Sequence, residues 1–290
     1  MIHVATVHWG TERWIDLQLR YLDRFLPRPY RVYAFLTGVP AGHESKFFYS
    51  SVEPIKEHAV KLNVLAEIIR LSADDPSDVL IFIDGDAFPV APLQPLIRDC
   101  LDRHPLIAVQ RYENFGDLQP HPSFCMTTVG FWSEIGGDWK PGHSWLDRSG
   151  KKLTDVGGNL LGLLEGAGVD WYPLLRVNAH NPHPILFGLY GDAPHGAVVY
   201  HHGAGFRGAP ERVARLEGGE AELEVTVRAK AIDHLRRYLA STSEWLLRIH
   251  PVTRMEHRLT EQEQRLAEPV FSKIEEDEAF WQSFLPPGSP

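Results

Sequence analysis

The sequence predicts an α/β protein with a mixed, mostly parallel sheet, flanking helices and a helical extension at the C-terminus. Three observations support this prediction. Strand-like and helix-like segments alternate through the first half of the chain, as in sheets built from crossover units. Residues 79–83 form an unbroken apolar run bounded by turn-forming residues, which is typical of a strand buried on both faces. From about Glu211 onward the residues are charged and favour helix.

The individual elements follow from hydrophobic periodicity and from helix-breaking residues. The first strand precedes a helix whose apolar residues recur at helical spacing until Pro27 and Pro29 end it. Strands are predicted over 4–9, 31–36, 47–51, 79–83, 106–109 and 198–202, and helices over 12–26, 57–71 and 154–165. Residues 111–150 are rich in glycine, proline and aromatic residues and have few periodic segments, so we expect part of this region to be loop.

The composition restricts the class of protein. The 290 residues, of which 43% are hydrophobic, can form one sizeable α/β domain with an appendage. The net charge of -9 argues against a nucleic-acid-binding protein. Two cysteines, Cys100 and Cys125, are too few for a disulfide framework or a cysteine-rich zinc site. Neither a signal peptide nor an apolar stretch of roughly 20 residues is recognisable, so we expect a cytoplasmic protein, at most peripheral to a membrane.

Two aspartates, Asp84 and Asp86, directly follow the buried strand and are separated by Gly85. Parallel sheets bind ligands outside the carboxyl ends of their strands, and two carboxylates there are costly to desolvate unless a positive group neutralises them. A divalent cation carrying a diphosphate would do so, and Gly85 would permit close backbone approach. A plain turn does not explain this placement. An aspartyl-phosphatase motif would require Thr or Val where Phe88 stands.

A second polar segment ends the strand predicted over 198–202. Its histidines, His201 and His202, offer a neutral imidazole as a further protein ligand for Mn²⁺ or Mg²⁺. Adjacent strand residues face opposite ways, so only one of the two should reach a metal. The glycines after them would let backbone N–H groups approach phosphates, and Arg207 can neutralise charge on a departing diphosphate.

Together the two segments resemble the metal-dependent glycosyltransferases of the GT-A fold, whose sheet is Rossmann-like. The Asp84-Gly85-Asp86 segment is similar to their Asp-x-Asp motif. The histidine pair with Gly205 is similar to the His-x-x-Gly segment of glycogenin-type and related bacterial transferases, a spacing that favours His202 as the ligand and leaves His201 as an alternative. Arg207 stands where that segment usually has lysine, which leaves the subfamily open.

The resemblance implies transfer of a sugar from a UDP- or GDP-sugar to a hydroxyl on a saccharide, lipid-linked glycan or small molecule, with Mn²⁺ or Mg²⁺. It covers residues 1–208, the predicted catalytic domain. Residues 209–290 would form a helical extension that packs on the domain or a second subunit, or that meets anionic lipid. The alternatives are a sugar nucleotidyltransferase, whose glycine-rich N-terminal signature is missing, and a non-catalytic nucleotide- or sugar-binding module.

Further residues are assigned to the nucleotide by the same resemblance. Thr6, His8 and Trp9 end the first strand, where these folds hold the nucleoside base, although a strand tryptophan is often simply part of the core. Lys61 lies on the helix before Asp84, near the position of a basic residue that contacts the nucleotide or diphosphate. The alternative for Lys61 is an exposed surface lysine.

The sugar-side candidates are less sharply defined. Asp155 and Asn159 lie four apart at the start of a predicted helix and are loosely similar to an Asp-Gln-x-x-x-Asn segment of retaining transferases. Asp155 would activate the acceptor or position the donor sugar, or would only interact with the helix dipole. Gln110 and Arg111 could reach the donor or acceptor. Three tryptophans could stack on sugar rings: Trp132, Trp139 and Trp145.

Overall fold

The computed structural model describes residues 1–114, 116–146, 152–181, 186–203, 267 and 269–285. These residues belong to two compact units. The first unit comprises the described parts of 1–181, 187–202 and 283–285, and it contains the whole sheet. The second comprises 186, 203 and the described residues of 267–282, where 269–276 are helical. The predicted boundary after residue 208 and most of the predicted extension lie outside the described residues.

The secondary structure of the first unit alternates between strands and helices. The strands are β1 (Ile2–Trp9), β2 (Tyr30–Thr37), β3 (Tyr49–Ser51), β4 (Val79–Asp84), β5 (Ala87–Pro89), β6 (Leu106–Val109), β7 (His121–Thr128), β8 (Trp145–Leu146), β9 (Lys152–Leu153), β10 (Tyr172–Arg176), β11 (Gly188–Asp192) and β12 (Gly196–His201). The helices are α1 (Ile15–Phe25), α2 (His58–Ser72), α3 (Gln94–Leu96), which continues as a π-helical turn over Ile97–Leu101, α4 (Val129–Glu134) and α5 (Gly158–Ala167).

Ten strands form one sheet in the order β3-β2-β1-β4-β7-β6-β10-β11-β12-β5. Seven of them run in the same direction, and β5, β7 and β11 run opposite to the rest. The predicted fold class, a mixed and mostly parallel sheet with flanking helices, is confirmed. Because β4 and β12 run in the same direction, their carboxyl ends lie at the same edge of the sheet.

The hydrophobic core lies on both faces of the sheet, which explains the continuous apolar run of β4. On one face, Ile81 and Ile83 join a cluster that includes buried residues of α1. On the other face, Leu80 and Phe82 join a cluster that includes buried residues of α2. Successive side chains of a strand point to opposite faces, so a strand covered on both sides needs apolar residues at every position.

One central strand was not predicted. Residues 121–128, within the region expected to be partly loop, form the central strand β7 between β4 and β6. Seven of its eight residues are buried, so its sequence lacks the alternation that indicates a half-exposed strand. Its pairing with β6 is also irregular, since the register shifts between Ala108 and Val109.

Among the helices of the described residues, none is long and apolar enough to cross a membrane.

Candidate functional site

Asp84 and Asp86 lie at the carboxyl edge of the sheet, at and just beyond the end of β4. Strand β4 pairs with β1 on one side and β7 on the other, which fixes its position in the sheet centre. Both carboxylates are largely withdrawn from solvent, with side-chain exposures of 15% for Asp84 and 17% for Asp86. Such burial of two like charges requires a compensating positive group.

Strand β12 brings His201 to these two carboxylates. It pairs antiparallel with β5 in a register that places His201 opposite Ala87, and the backbone N–H of His202 donates to the Asp86 carbonyl over 3.0 Å. As a result, His201 Nε2 lies 3.4 Å from Asp86 Oδ1 and 3.5 Å from Asp84 Oδ2. One ligand atom from each of the three residues falls within 4.8 Å of the other two.

These three residues fit a hard or borderline divalent cation. Two carboxylates and one imidazole are a donor set suited to Mn²⁺ or Mg²⁺, with the remaining positions left to substrate oxygens or water. Asp84 Oδ1 is buried and accepts no hydrogen bond in the described chain. Burial alone would raise the pKa of Asp86, but the neighbouring His201 and His202 outweigh it and hold that pKa below its ordinary value.

The geometry places His201, rather than His202, beside the two carboxylates and so favours His201 as the candidate ligand. His202 lies on the opposite face of the chain from His201, where its Nδ1 is 3.0 Å from the Tyr200 hydroxyl. Its ring packs against Trp14, at 4.6 Å between centroids, and against Phe187. His202 is therefore a packing residue beside the site, and His201 is the candidate ligand.

Gly85 is held against the end of β1. Its backbone N–H donates to the Val7 carbonyl over 3.2 Å. A Cβ at this position would lie 2.5 Å from the Val7 oxygen and 2.8 Å from His8 Nδ1, distances that side-chain carbons do not adopt. Glycine is thus required here by the close approach of the two strands rather than by an unusual backbone angle.

Gln18 of α1 is a site residue that the sequence analysis missed. Its side chain is fully buried, and its Nε2 donates to the carbonyls of Asp84 and Ala87, each over 2.7 Å. Its Oε1 accepts a hydrogen bond from the Thr6 hydroxyl over 3.0 Å. Gln18 therefore fixes the turn that carries both aspartates. No sequence signal identifies it, because its partners are backbone groups distant in the chain.

The same network revises two residues assigned to the nucleoside. Thr6 is fully buried and its hydroxyl is bonded to Gln18, so it positions the turn and does not face a ligand. His8 is 2% exposed beneath Gly85. Burial lowers the pKa of His8 to about 4, although the nearby Asp86 acts in the opposite direction. His8 is therefore a neutral supporting residue.

Trp9 and Lys61 form a pair at the carboxyl end of β1. Trp9 is 45% exposed, so it is not a core residue. Lys61 is 1% exposed, contrary to the surface alternative, and its Nζ lies 3.8 Å from the centre of the Trp9 ring. Burial lowers the pKa of Lys61 to about 8 while Glu57 raises it. An indole face supported by a buried cation thus lies near the aspartates.

Two further histidines flank the cluster. His58, the first residue of α2, places its Nε2 2.9 Å from Asp84 Oδ1, but the two atoms do not form a hydrogen bond. His121 at the start of β7 lies with its ring centroid 6.0 Å from that of His201, and its Nδ1 accepts from the Ser123 backbone. The sequence spacing of these two histidines does not identify them as metal ligands. The fold alone brings them close to the cluster.

A buried polar group around Arg111 lies after β6. Arg111 is 6% exposed. Burial would lower the pKa of its guanidinium, but surrounding phenol and carboxylate groups outweigh it and raise that pKa. These groups belong to Tyr190, Glu113, Asp117 and Asp155. The nearby segment also holds Gln119, whose amide is buried without a hydrogen-bond partner in the described residues. A polar ligand or an ordered water could satisfy such buried groups.

The sequence predicts that Asp155 and Asn159 share one face of a helix, and the structure does not show this. Helix α5 begins at Gly158, so Asp155 precedes it and the two residues share no helical face. Asp155 accepts a hydrogen bond from the Val156 N–H and lies close enough to Arg111 to affect its pKa. Asn159 donates to Asp138 over 2.8 Å and accepts from the His143 N–H, which ties it to neighbouring loops.

The three tryptophans proposed to stack on sugars are core residues. Their exposures are 6% for Trp132, 0% for Trp139 and 5% for Trp145. Phe82 of β4 contacts the rings of Trp132 and Trp139 at centroid distances of 4.6 Å and 5.1 Å. Gly205 and Arg207, assigned to the diphosphate, lie outside the described residues.

Comparison with known proteins gives a partial structural match. No protein-family model matches the sequence, and no curated protein matches it significantly. The glycosyltransferase GlyE of Streptococcus pneumoniae is 12% identical with a TM-score of 0.35, over 60% of this chain and 45% of its own. The chain therefore spans less than half the length of that structure.

Two other glycosyltransferase structures match over more of their length. A mutant of Drosophila β1,4-galactosyltransferase 7, in complex with manganese, UDP-Gal and xylobiose, is 12% identical with a TM-score of 0.37, over 76% of each chain. The galactosyltransferase LgtC, with donor and acceptor sugar analogues, is 11% identical with a TM-score of 0.37, over 78% of this chain and 96% of its own. The function proposed below rests on the site residues themselves.

Proposed function

We propose that this protein is a metal-dependent glycosyltransferase that moves a sugar from a UDP- or GDP-sugar to a hydroxyl acceptor. The observation that carries the proposal is the convergence of Asp84, Asp86 and His201 at the carboxyl edge of the sheet. Strands distant in the sequence deliver these ligands to one point. A structural turn would need neither the buried carboxylates nor the imidazole.

Each residue near the cluster has a proposed role in holding the donor. Asp84, Asp86 and His201 would hold Mn²⁺ or Mg²⁺, which when bound stabilises charge on the departing diphosphate. The exposed face of Trp9 would stack on the nucleoside base, and Lys61, whose Nζ lies 3.8 Å from the centre of that ring, would support it. We assign the diphosphate to the backbone around Gly205 and to Arg207, which follow β12 in the sequence.

The sugar side of the site is assigned to the buried polar group around Arg111. Arg111 and Asp155 carry opposite charges and lie near each other, and Gln119 offers an unsatisfied amide. Sugar hydroxyls can both donate and accept hydrogen bonds, so they suit such a set. Asp155 would then either activate the acceptor hydroxyl in an inverting reaction or orient the donor sugar in a retaining one. The anomeric configuration of the product distinguishes these two roles.

The decisive experiment measures release of nucleoside diphosphate from a panel of UDP- and GDP-sugars, with and without saccharide acceptors. We expect release that requires Mn²⁺ or Mg²⁺ and stops in EDTA. Asp86→Asn should reduce turnover by at least about a hundredfold while leaving the unfolding transition in place. The control is Asp170→Asn, at an exposed aspartate far along the chain. Turnover of Asp86→Asn equal to the wild type would refute the proposal, and NMR of the product gives the stereochemistry.

A further inference from the structure

A second group of metal-ligating side chains lies at the opposite edge of the sheet. Cys100, Asp192 and His195 each place one ligand atom within 4.8 Å of the other two. His195 precedes β12, whereas His201 ends it, so the two groups are separated by the length of that strand, about 20 Å at 3.3 Å per residue. This second group is therefore independent of the cluster at Asp84 and Asp86.

The three side chains are drawn together by two structural elements. Asp192 ends β11, and His195 lies in the tight connection to β12, where its backbone N–H donates to Asp192 Oδ1 over 2.6 Å. Cys100 belongs to the π-helical turn that follows α3 and is 1% exposed. Such turns insert an extra residue into a helix and are frequent at functional sites. Here the turn directs a buried thiol at the β11–β12 connection.

Neighbouring groups hold the carboxylate and imidazole in place. His195 Nδ1 lies 2.8 Å from Asp192 Oδ2, and the Tyr172 hydroxyl donates to the same oxygen over 2.9 Å. On the outer side, Asp99 Oδ2 lies 3.7 Å from His195 Nε2. The arrangement thus has three candidate ligands of different chemistry, and a second carboxylate, that of Asp99, lies near the histidine as a fourth candidate.

We propose that Cys100, Asp192 and His195 bind zinc, with Asp99 or a water molecule completing the coordination. Thiolate, imidazole and carboxylate are all zinc ligands, and a thiolate favours zinc over the harder Mg²⁺ or Mn²⁺. On binding, the Cys100 thiol releases its proton to solvent and its sulfur forms the metal bond. The ion would tie the helical turn over 97–101 to the β11–β12 connection, and so would stabilise the antiparallel edge of the sheet.

Cobalt provides a specific probe, because a cysteine-bound Co²⁺ shows a thiolate-to-metal charge-transfer band in the near ultraviolet. The metal-free, reduced full-length protein is titrated with Co²⁺, and then with Zn²⁺. We expect the band to rise to saturation and to disappear on addition of zinc. The cluster at Asp84 and Asp86 contains no sulfur, so an Asp84→Asn/Asp86→Asn variant should keep the band unchanged.

The two cysteines provide a matched pair of variants. Cys100→Ser should abolish the band, and Cys125→Ser, at a buried position in β7, should retain it. His195→Ala should raise the Co²⁺ concentration needed for half-saturation at least tenfold. Zinc should raise the melting temperature of the wild type more than that of Cys100→Ser, which keeps only the cluster at Asp84 and Asp86. A wild-type protein without the band at saturating Co²⁺, or a band that persists in Cys100→Ser, would overturn the proposal.

Discussion

The ammonium group of Lys61 lies 3.8 Å from the centre of the Trp9 ring, a cation–π contact made by a lysine that is only 1% exposed. An exposed lysine would keep its charge at little cost. Here burial lowers the pKa of Lys61 from 10.5 to about 8, so the charged form is disfavoured in the folded state. The pair therefore places a costly charge next to the proposed nucleotide site.

This cost predicts a pH dependence of stability. The pKa of Lys61 is lower in the folded state, so the unfolded chain binds more protons between about pH 8 and pH 10.5, and stability contributed by Lys61 rises with pH in that window. Lys61→Met should be more stable than the wild type at about pH 7, by roughly 1–3 kcal/mol. Its free energy of unfolding should not show the increase between about pH 8 and pH 10.5 that Lys61 causes. Urea unfolding across the pH range measures both effects. Lys56→Met, at an exposed lysine, should follow the wild type, and a parallel course for Lys61→Met would contradict the prediction.

The two adjacent histidines should respond differently to truncation. His201→Ala removes a candidate ligand, so the dissociation constant for Mn²⁺ should rise at least about tenfold. His202→Ala removes contacts with Tyr200 and Trp14, so it should lower the free energy of unfolding by roughly 1–3 kcal/mol with little change in Mn²⁺ affinity. Electron paramagnetic resonance of free Mn²⁺ and urea unfolding give the two readouts. The reverse ranking in Mn²⁺ affinity would reassign the ligand to His202.

Gly85 should tolerate no side chain. A methyl group there would meet the Val7 carbonyl at 2.5 Å, so Gly85→Ala should destabilise the protein by roughly 1–3 kcal/mol and displace the aspartates on either side. Nucleoside diphosphate release should fall with it. Gly166→Ala is the matched control, since a Cβ there meets nothing within 4 Å in a helix, and it should stabilise by roughly 0.5–1 kcal/mol. Equal effects of the two substitutions would show that β1 does not restrict Gly85.

Gln18 should act as a positioning residue for the Asp84–Asp86 turn. Gln18→Met keeps the length of the side chain but leaves two buried carbonyls without donors, which should cost roughly 1–3 kcal/mol. If the hydrogen bonds also fix the turn, Mn²⁺ affinity should fall as well, which a purely structural residue would not cause. Gln94→Met, at an exposed glutamine, serves as the control. Unchanged Mn²⁺ binding in a destabilised Gln18→Met would limit the residue to stability.

Local patterns in the sequence were sufficient to predict the strands and helices that have a clear apolar pattern or that end at proline or glycine. The strand ending at Asp84 was predictable because both of its faces need apolar residues. Strand β7 was not, since a fully buried strand without alternation and with irregular pairing resembles a loop. The three tryptophans were misassigned for a related reason, because aromatic residues in a glycine-rich segment give no sign of which core they fill.

The sequence pointed to two aspartates and a histidine as residues that meet, which the structure shows, but it did not give their detailed contacts. The sequence identifies two aspartates and a histidine pair, but the choice between His201 and His202 depends on the register of β12 against β5. Gln18, His58 and His121 reach the cluster from other elements, and their roles depend on packing between distant segments. Such contacts have no local signal.

The antiparallel pairing of β12 with β5 joins segments that are far apart in the chain, and this separation affects the order in which the protein folds. Closing so long a loop has a high entropic cost, so we expect the pairing of β12 with β5 to form late in folding. Until then, the aspartates exist without their imidazole. On the proposed function, a chain arrested before residue 201 would contain every preceding strand but lack one candidate ligand, so weakened manganese binding would report that this last pairing has not formed.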